Sequence, residues 1–360
     1  MSLEEKLNSL GPLGELLRDA STSDIMVNGT KQIYIERQGK KVLTDIRFKS
    51  ERQLMEVIEK IYSWAGKRVD SLTPFADVCL EDGSRVNAII PPLSRVGPVI
   101  TIRKFSREIV SADDLVKLGT LSPGASELLA ACIQGRLNII FSGGAGVGKT
   151  TTLQVFSKFI APQERIICIE DTAELRLEQE HLIFLETRQA DLAGRGEITL
   201  RDLIRNALRM RPDRIVVGEV RGPEALDMVQ AMAVGHTGCL GVVHGNSPVD
   251  VVARLETMIL MSGINMSLRE VRKQIAATVN LVVHQEKFSD GSRKVTYITE
   301  VEGIQRDEVV LHNLFSFDFE GLDEAGRVRG ELKSTIKHYP NFFQRFQSMG
   351  INLDKVFANK

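Results

Sequence analysis

The chain has 360 residues, 43% hydrophobic and 26% charged, with 46 basic against 47 acidic side chains and a net charge of −1. Those values describe an ordinary globular protein long enough for two domains and for a core of normal size. A balance so close to neutral gives no electrostatic reason to expect nucleic acid as a partner. No apolar run approaches the roughly 18–20 residues that a spanning helix needs, and residues 1–9 are polar and lack a signal-peptide core. The expected location is therefore cytoplasmic, with docking on a membrane complex left open.

The first hundred residues alternate short elements. A helical turn is expected at 13–17, strands at 25–28 and 33–36 about the turn Asn28-Gly29, and an amphipathic helix at 52–64 with Leu54, Val57, Ile58 and Ile61 on one face. A hairpin at 76–80 and 85–90 turns at Asp82-Gly83, and a further strand follows at 99–103. This predicts a small α+β domain over 1–106. A polar stretch over 107–118 reads as a linker, in which Ser111-Ala112-Asp113-Asp114 resembles a helix cap.

Beyond it the pattern changes. Apolar runs at 137–141, 165–169, 182–186, 214–218, 239–244 and 280–284 alternate with helical patterns at 150–159, 200–210, 223–234 and 249–261. That alternation predicts an α/β domain over 119–360 with a mainly parallel sheet. The tail from Val295 reads as short strands and a final helix near 342–349. Cys79, Cys132, Cys168 and Cys239 form no CxxC pair, so no zinc is expected, and the last three sit in or beside apolar runs as buried thiols.

The most informative segment is Gly143-Gly144-Ala145-Gly146-Val147-Gly148-Lys149-Thr150, which fits G-x-x-x-x-G-K-[ST] between an apolar strand and a helix opening at Thr150-Thr151. Glycines let consecutive N–H groups turn inward on phosphate, and the helix N-terminus adds partial positive charge. Lys149 is expected at the β- and γ-phosphates of ATP and Thr150 on Mg²⁺. Hydrolysis also needs carboxylates. Two segments end strands with them: Glu170-Asp171-Thr172-Ala173-Glu174, and Gly218-Glu219 after an apolar run. A common version of the second segment has aspartate where this chain has Gly218, so the metal must use Glu219 itself or the first acidic segment, Glu170 included. The stretch from Gly235 to His244 places His236 and His244 about a glycine-rich turn.

Together these segments resemble the secretion-superfamily ATPases of type II and type IV secretion and type IV pili, in which a phosphate loop, an "Asp box", a Walker B segment and a "His box" occur in this order. The likeness is nearest to the Tad/Flp (CpaF-type) pilus ATPases. It rests on Leu208-Arg209-Met210-Arg211-Pro212-Asp213-Arg214, Gly218-Glu219-Val220-Arg221-Gly222 and Arg254-Leu255-Glu256-Thr257-Met258. It also rests on Ser23-Asp24-Ile25-Met26-Val27-Asn28-Gly29, Asp82-Gly83-Ser84-Arg85-Val86-Asn87 and Thr101-Ile102-Arg103-Lys104-Phe105. Departures are His244-Gly245-Asn246-Ser247 in place of His-Ala-Asn-Ser, and Cys79 in place of a basic residue. The cysteine insertion of many type II secretion ATPases is missing.

The resemblance implies a RecA-like ATPase domain behind a PAS-like N-terminal domain, with ATP between them. It also implies a homo-hexamer acting on an inner-membrane platform protein, peripherally attached to that membrane. By position, Glu174 is implied as general base and Glu219 as support for Mg²⁺ and water, with His236 and His244 sensing the γ-phosphate. Arg103, then Arg85 and Arg95, are implied as arginine fingers. Two other readings of the same residues are a RecA-like nucleic-acid motor, favoured only by the arginines of 201–214, and a nucleotide-gated switch of low turnover.

Overall fold

Helix 51–64 carries the expected apolar stripe. Leu54, Val57, Ile58, Ile61 and Tyr62 are buried along Glu51–Trp64, and Ser50 caps the helix by accepting from the Gln53 N–H at 3.2 Å. The stripe packs with alternate residues of a six-stranded sheet, among them Ile25, Val27, Ile33, Ile35, Val86, Ala88, Ile100 and Ile102. Each fully buried Leu, Ile or Val contributes about 1.5–3 kcal/mol. The strands are β1 (Thr22–Asn28), β2 (Gln32–Arg37), β3 (Lys40–Leu43), β4 (Phe75–Cys79), β5 (Arg85–Ile89) and β6 (Val99–Arg103). They run in the order β3-β2-β1-β6-β5-β4, with every pairing antiparallel.

This computed structural model describes residues 3–37, 39–80, 82–104, 111–190, 194–351 and 353. The chain divides into two compact units, Met1–Glu108 with Thr172–Glu174, and Ile109–Asp171 with Leu175–Lys360. The expected boundary at 106/107, the first part of the linker and Phe105 lie outside the described residues. Ser111 does cap a helix, Ala112–Lys117, in a reciprocal capping box with Asp114.

The second unit is built on nine strands: β7 (Ile139–Gly143), β8 (Ile166–Glu170), β9 (Leu182–Glu186), β10 (Arg214–Val220), β11 (Leu240–His244), β12 (Leu281–Lys287), β13 (Arg293–Gln305), β14 (Glu308–Leu322) and β15 (Val328–Ser334). Their order is β15-β14-β13-β12-β7-β11-β10-β8-β9. From β12 to β9 every pairing is parallel; β13, β14 and β15 add on antiparallel. Both faces of the parallel part are covered, which explains the continuous apolar runs. Ile139, Phe141, Ile166, Cys168 and Val216 feed one core. Ile140, Ile167, Ile169, Ile215 and Val217 feed the other. The four cysteines are free thiols, and Cys132, Cys168 and Cys239 are buried as expected.

Two differences from expectation have physical causes. The tail carries long strands, β13 of 13 residues and β14 of 15, where short ones were expected. Register shifts at Ile298/Thr299, Val301/Gly303 and Phe319/Gly321 interrupt the two-residue alternation, so each strand reads as fragments. Helix Pro123–Gln134 was not anticipated because Leu128, Leu129, Ala131, Cys132 and Ile133 are all buried and leave no amphipathic period.

Three of the five arginines of 201–214 are committed to internal ion pairs. Arg201 and Arg205 each donate to Asp227 at 2.7 Å. Arg214 is 0% exposed and pairs with Glu164 at 2.6 Å. Arg136 binds the same Glu164 oxygen at 2.6 Å. Burial alone would raise the Glu164 pKa, but the hydrogen bonds and charges of Arg214 and Arg136 hold it below the usual carboxylate range.

Candidate nucleotide-binding site

β7 is buried at every residue and ends where the chain needs glycine. Gly143 has φ 145°, and a Cβ there would lie 2.1 Å from the Gln285 carbonyl oxygen on β12. Gly148 has φ 99° and is the N-cap of helix Lys149–Ser157. A glycine cap offers no side-chain acceptor, so the first-turn N–H groups face out of the helix end. Between these glycines Gly144, Ala145 and Gly146 are exposed, Val147 is buried, and Thr150 and Thr151 are half-buried.

Three side chains hold the loop's shape. Lys149, 6% exposed, curls back and donates to the Gly144 carbonyl at 2.5 Å. Arg293 at the start of β13 donates to the Gly146 carbonyl at 2.9 Å. Thr152 donates to the Gln285 side-chain oxygen at 3.0 Å. Arg293 and Gln285 carried no signal in the sequence, since each reaches the loop from more than 130 residues away through strand pairing. The same holds for Ser142 and His284, which face each other across β7 and β12 with Oγ and Nδ1 2.9 Å apart.

The carboxyl ends of the neighbouring parallel strands converge on this loop. His244 ends β11 and is paired with Gly143 in register. Glu219 lies near the end of β10, and its two oxygens accept from His244 Nε2 at 2.8 Å and Arg221 at 2.6 Å. Burial opposes ionisation of Glu219, but Arg221, His244 and Lys149 outweigh it and hold the carboxyl below its ordinary range. His244 is pushed down by burial first and by the Lys149 charge next, against the pull of Glu219. That shift favours the neutral imidazole, in which the Glu219 contact would place the ring proton on Nε2. Arg221 was visible in the motif but had been given no role.

Glu170 ends β8 and is 4% exposed. Both its oxygens lie 3.2 Å from the Leu175 N–H. A Cβ on Gly218 would come within 2.6 Å of Glu170 Cγ and Oε1. That explains the glycine where aspartate is common: it leaves the space that the Glu170 carboxylate fills.

His236 is half-buried in the turn before β11, where its carbonyl accepts from Cys239 Sγ at 3.0 Å. Glu174 groups with the first unit, and its carboxylate pairs with Arg85. Arg103 pairs with Asp24 at 3.1 Å, and Arg95 is exposed.

A family model described as "Type II/IV secretion system protein" matches residues 6–298. A putative conjugal transfer protein of Mycobacterium tuberculosis is 34% identical over 319 residues, covering 86% of this chain and 90% of that protein. VirB11 of Agrobacterium fabrum is 30% identical over 307 residues, 76% of this chain and 87% of its own. Among solved structures, the pilus retraction motor PilT with bound ADP matches with a TM-score of 0.57 at 19% identity, over 99% of this chain and 89% of that chain. At that identity the likeness speaks for the fold.

Proposed function

The chain belongs to the type II/IV secretion system protein family, and on that premise we propose that it is an ATP-hydrolysing motor subunit of a pilus or secretion machine. The observation that carries the reading is the convergence of Lys149, Glu219 and His244 on one glycine-rich loop at the carboxyl ends of adjacent parallel strands. Backbone N–H groups of Gly143 through Thr151 would hold the phosphates, and Lys149 would exchange the Gly144 carbonyl for the β- and γ-phosphate oxygens. The ionised Glu219 orients water, and His244, in contact with it through Nε2, reports on what Glu219 faces.

The hydroxyl of Thr150 and the carboxylate of Glu219 are hard oxygen donors that suit Mg²⁺, with buried Glu170 behind them. When bound, Mg²⁺ would neutralise charge on the phosphates. Glu174 as general base, His236 as a second γ-phosphate sensor, and Arg103, Arg85 and Arg95 as arginine fingers are proposed on the family resemblance alone. So are the RecA-like and PAS-like domain types with their boundaries, the homo-hexamer, the Tad/Flp subtype, the platform partner and a cytoplasmic location. Among the described residues no helix is long and apolar enough to cross a membrane. A nucleic-acid motor has less support, because Arg201, Arg205 and Arg214 are spent on Asp227 and Glu164. Lys149→Ala should abolish ATP turnover with the circular dichroism spectrum unchanged; undiminished turnover would refute the reading.

A further inference from the structure

We propose that Glu302, His312 and His338 form a binding site for a divalent transition-metal ion of the zinc class. The three come from β13, β14 and the segment after β15, and one ligand atom from each lies within 4.8 Å of the others. Register explains how they meet. His312 stands opposite Glu300, and Glu302 follows two residues on, within the register shift between Val301 and Gly303. The following segment is held there by Asn341, whose backbone N–H donates to Glu300 at 2.8 Å and whose side chain donates to the Glu302 carbonyl at 3.2 Å. That brings the two imidazoles to 4.5 Å between centroids, tilted by 42°.

Two observations point to a ligand. The His312 Nε2 is buried and has no hydrogen-bond partner among the described residues, which is costly for a polar nitrogen. His338 Nε2 and Glu302 Oε1 are 3.2 Å apart. Two donors bound about 2.1 Å from one ion at a tetrahedral angle sit roughly 3.4 Å apart, so this pair already has a ligand-like separation. His338 is 60% exposed in its side chain, and its ring already lies against both Glu302 and His312.

The donor set selects the ion class. Two imidazoles and one carboxylate suit Zn²⁺, with Co²⁺ or Ni²⁺ as competitors, and disfavour Mg²⁺ and Ca²⁺. A fourth position stays open to water. The expectation of no zinc rested on cysteine spacing alone, whereas here two histidines and a glutamate meet from β13, β14 and the segment after β15. Bound metal would pin the C-terminal segment to β13 and β14. The site shares no residue with the phosphate loop, so its fate is independent of the ATPase reading.

The test is equilibrium dialysis of the full chain against Zn²⁺ alone, without nucleotide, followed by metal analysis. One equivalent per chain is expected. His338→Ala and Glu302→Gln should each weaken binding at least about 10-fold, the scale on which even outer-sphere changes act. His181→Ala, at an exposed histidine elsewhere, should leave it unchanged. Zn²⁺ should raise Tm for the unaltered chain and not for His338→Ala. Because His338 is largely exposed, its loss leaves the core intact. Absence of stoichiometric Zn²⁺, or equal affinity in His338→Ala, would overturn the proposal.

Discussion

Gly218→Ala is the substitution whose sign the structure decides most sharply. Gly218 does not have a positive φ. In open space, alanine at such a position would therefore stabilise the protein by about 0.4–1 kcal/mol through the unfolded state. Here the new Cβ would meet Glu170 Cγ and Oε1 at 2.6 Å and Cδ at 3.0 Å. Glu170 cannot retreat freely, because it is 4% exposed and its oxygens hold the Leu175 N–H. Overpacking of this kind costs about 1–3 kcal/mol, which outweighs the entropic gain. For a unit of this size each kcal/mol lowers Tm by roughly 2–4 °C. Urea unfolding of Gly218→Ala, Glu170→Ala and the double variant forms a cycle. The second substitution should cost less in the presence of the first, because the truncated Glu170 no longer meets the Cβ. A Gly218→Ala protein as stable as the unaltered chain, or strictly additive costs, would refute the packing explanation for the missing aspartate.

Three further outcomes follow from the same geometry. Glu219→Gln should lower kcat by roughly 100-fold or more while nucleotide affinity changes little, read by steady-state kinetics and analogue titration. Arg293→Ala should weaken nucleotide binding by a few fold, because the Gly146 carbonyl loses its 2.9 Å tether; unchanged affinity would remove Arg293 from the loop's support. Glu164→Gln should destabilise the chain by roughly 3–5 kcal/mol, since Arg214 at 0% exposure would lose its counter-charge. With Glu164 depressed in the folded state, its stabilisation is complete above the unfolded carboxyl pKa and lost as pH falls through the lowered folded value. Stability measured from pH 7 down into the acid range should therefore fall more steeply in the unaltered chain than in Glu164→Gln.

The parallel half of the larger sheet was legible because both its faces are buried, so segments such as 139–141 and 166–169 stand out as apolar runs. The loop was legible because its glycines and lysine are consecutive. Where structure depends on pairing distant strands, the sequence is silent. Nothing about Arg293 announces that β13 delivers it to Gly146, and nothing about Gly218 announces that Glu170 needs its space. The bulges that hid β13 and β14 also bring Glu302 beside His312. Helix Leu268–Thr278, outside the expected elements, carries a local signal in its Ser267/Glu270 capping box.

The most direct measurement is a crystal structure of the full chain with Mg²⁺ and a non-hydrolysable ATP analogue. The β- and γ-phosphates are expected within hydrogen-bond distance of backbone N–H groups between Gly143 and Thr151, with Lys149 Nζ moved from the Gly144 carbonyl to a phosphate oxygen. A nucleotide bound elsewhere, with Lys149 still on Gly144, would contradict it.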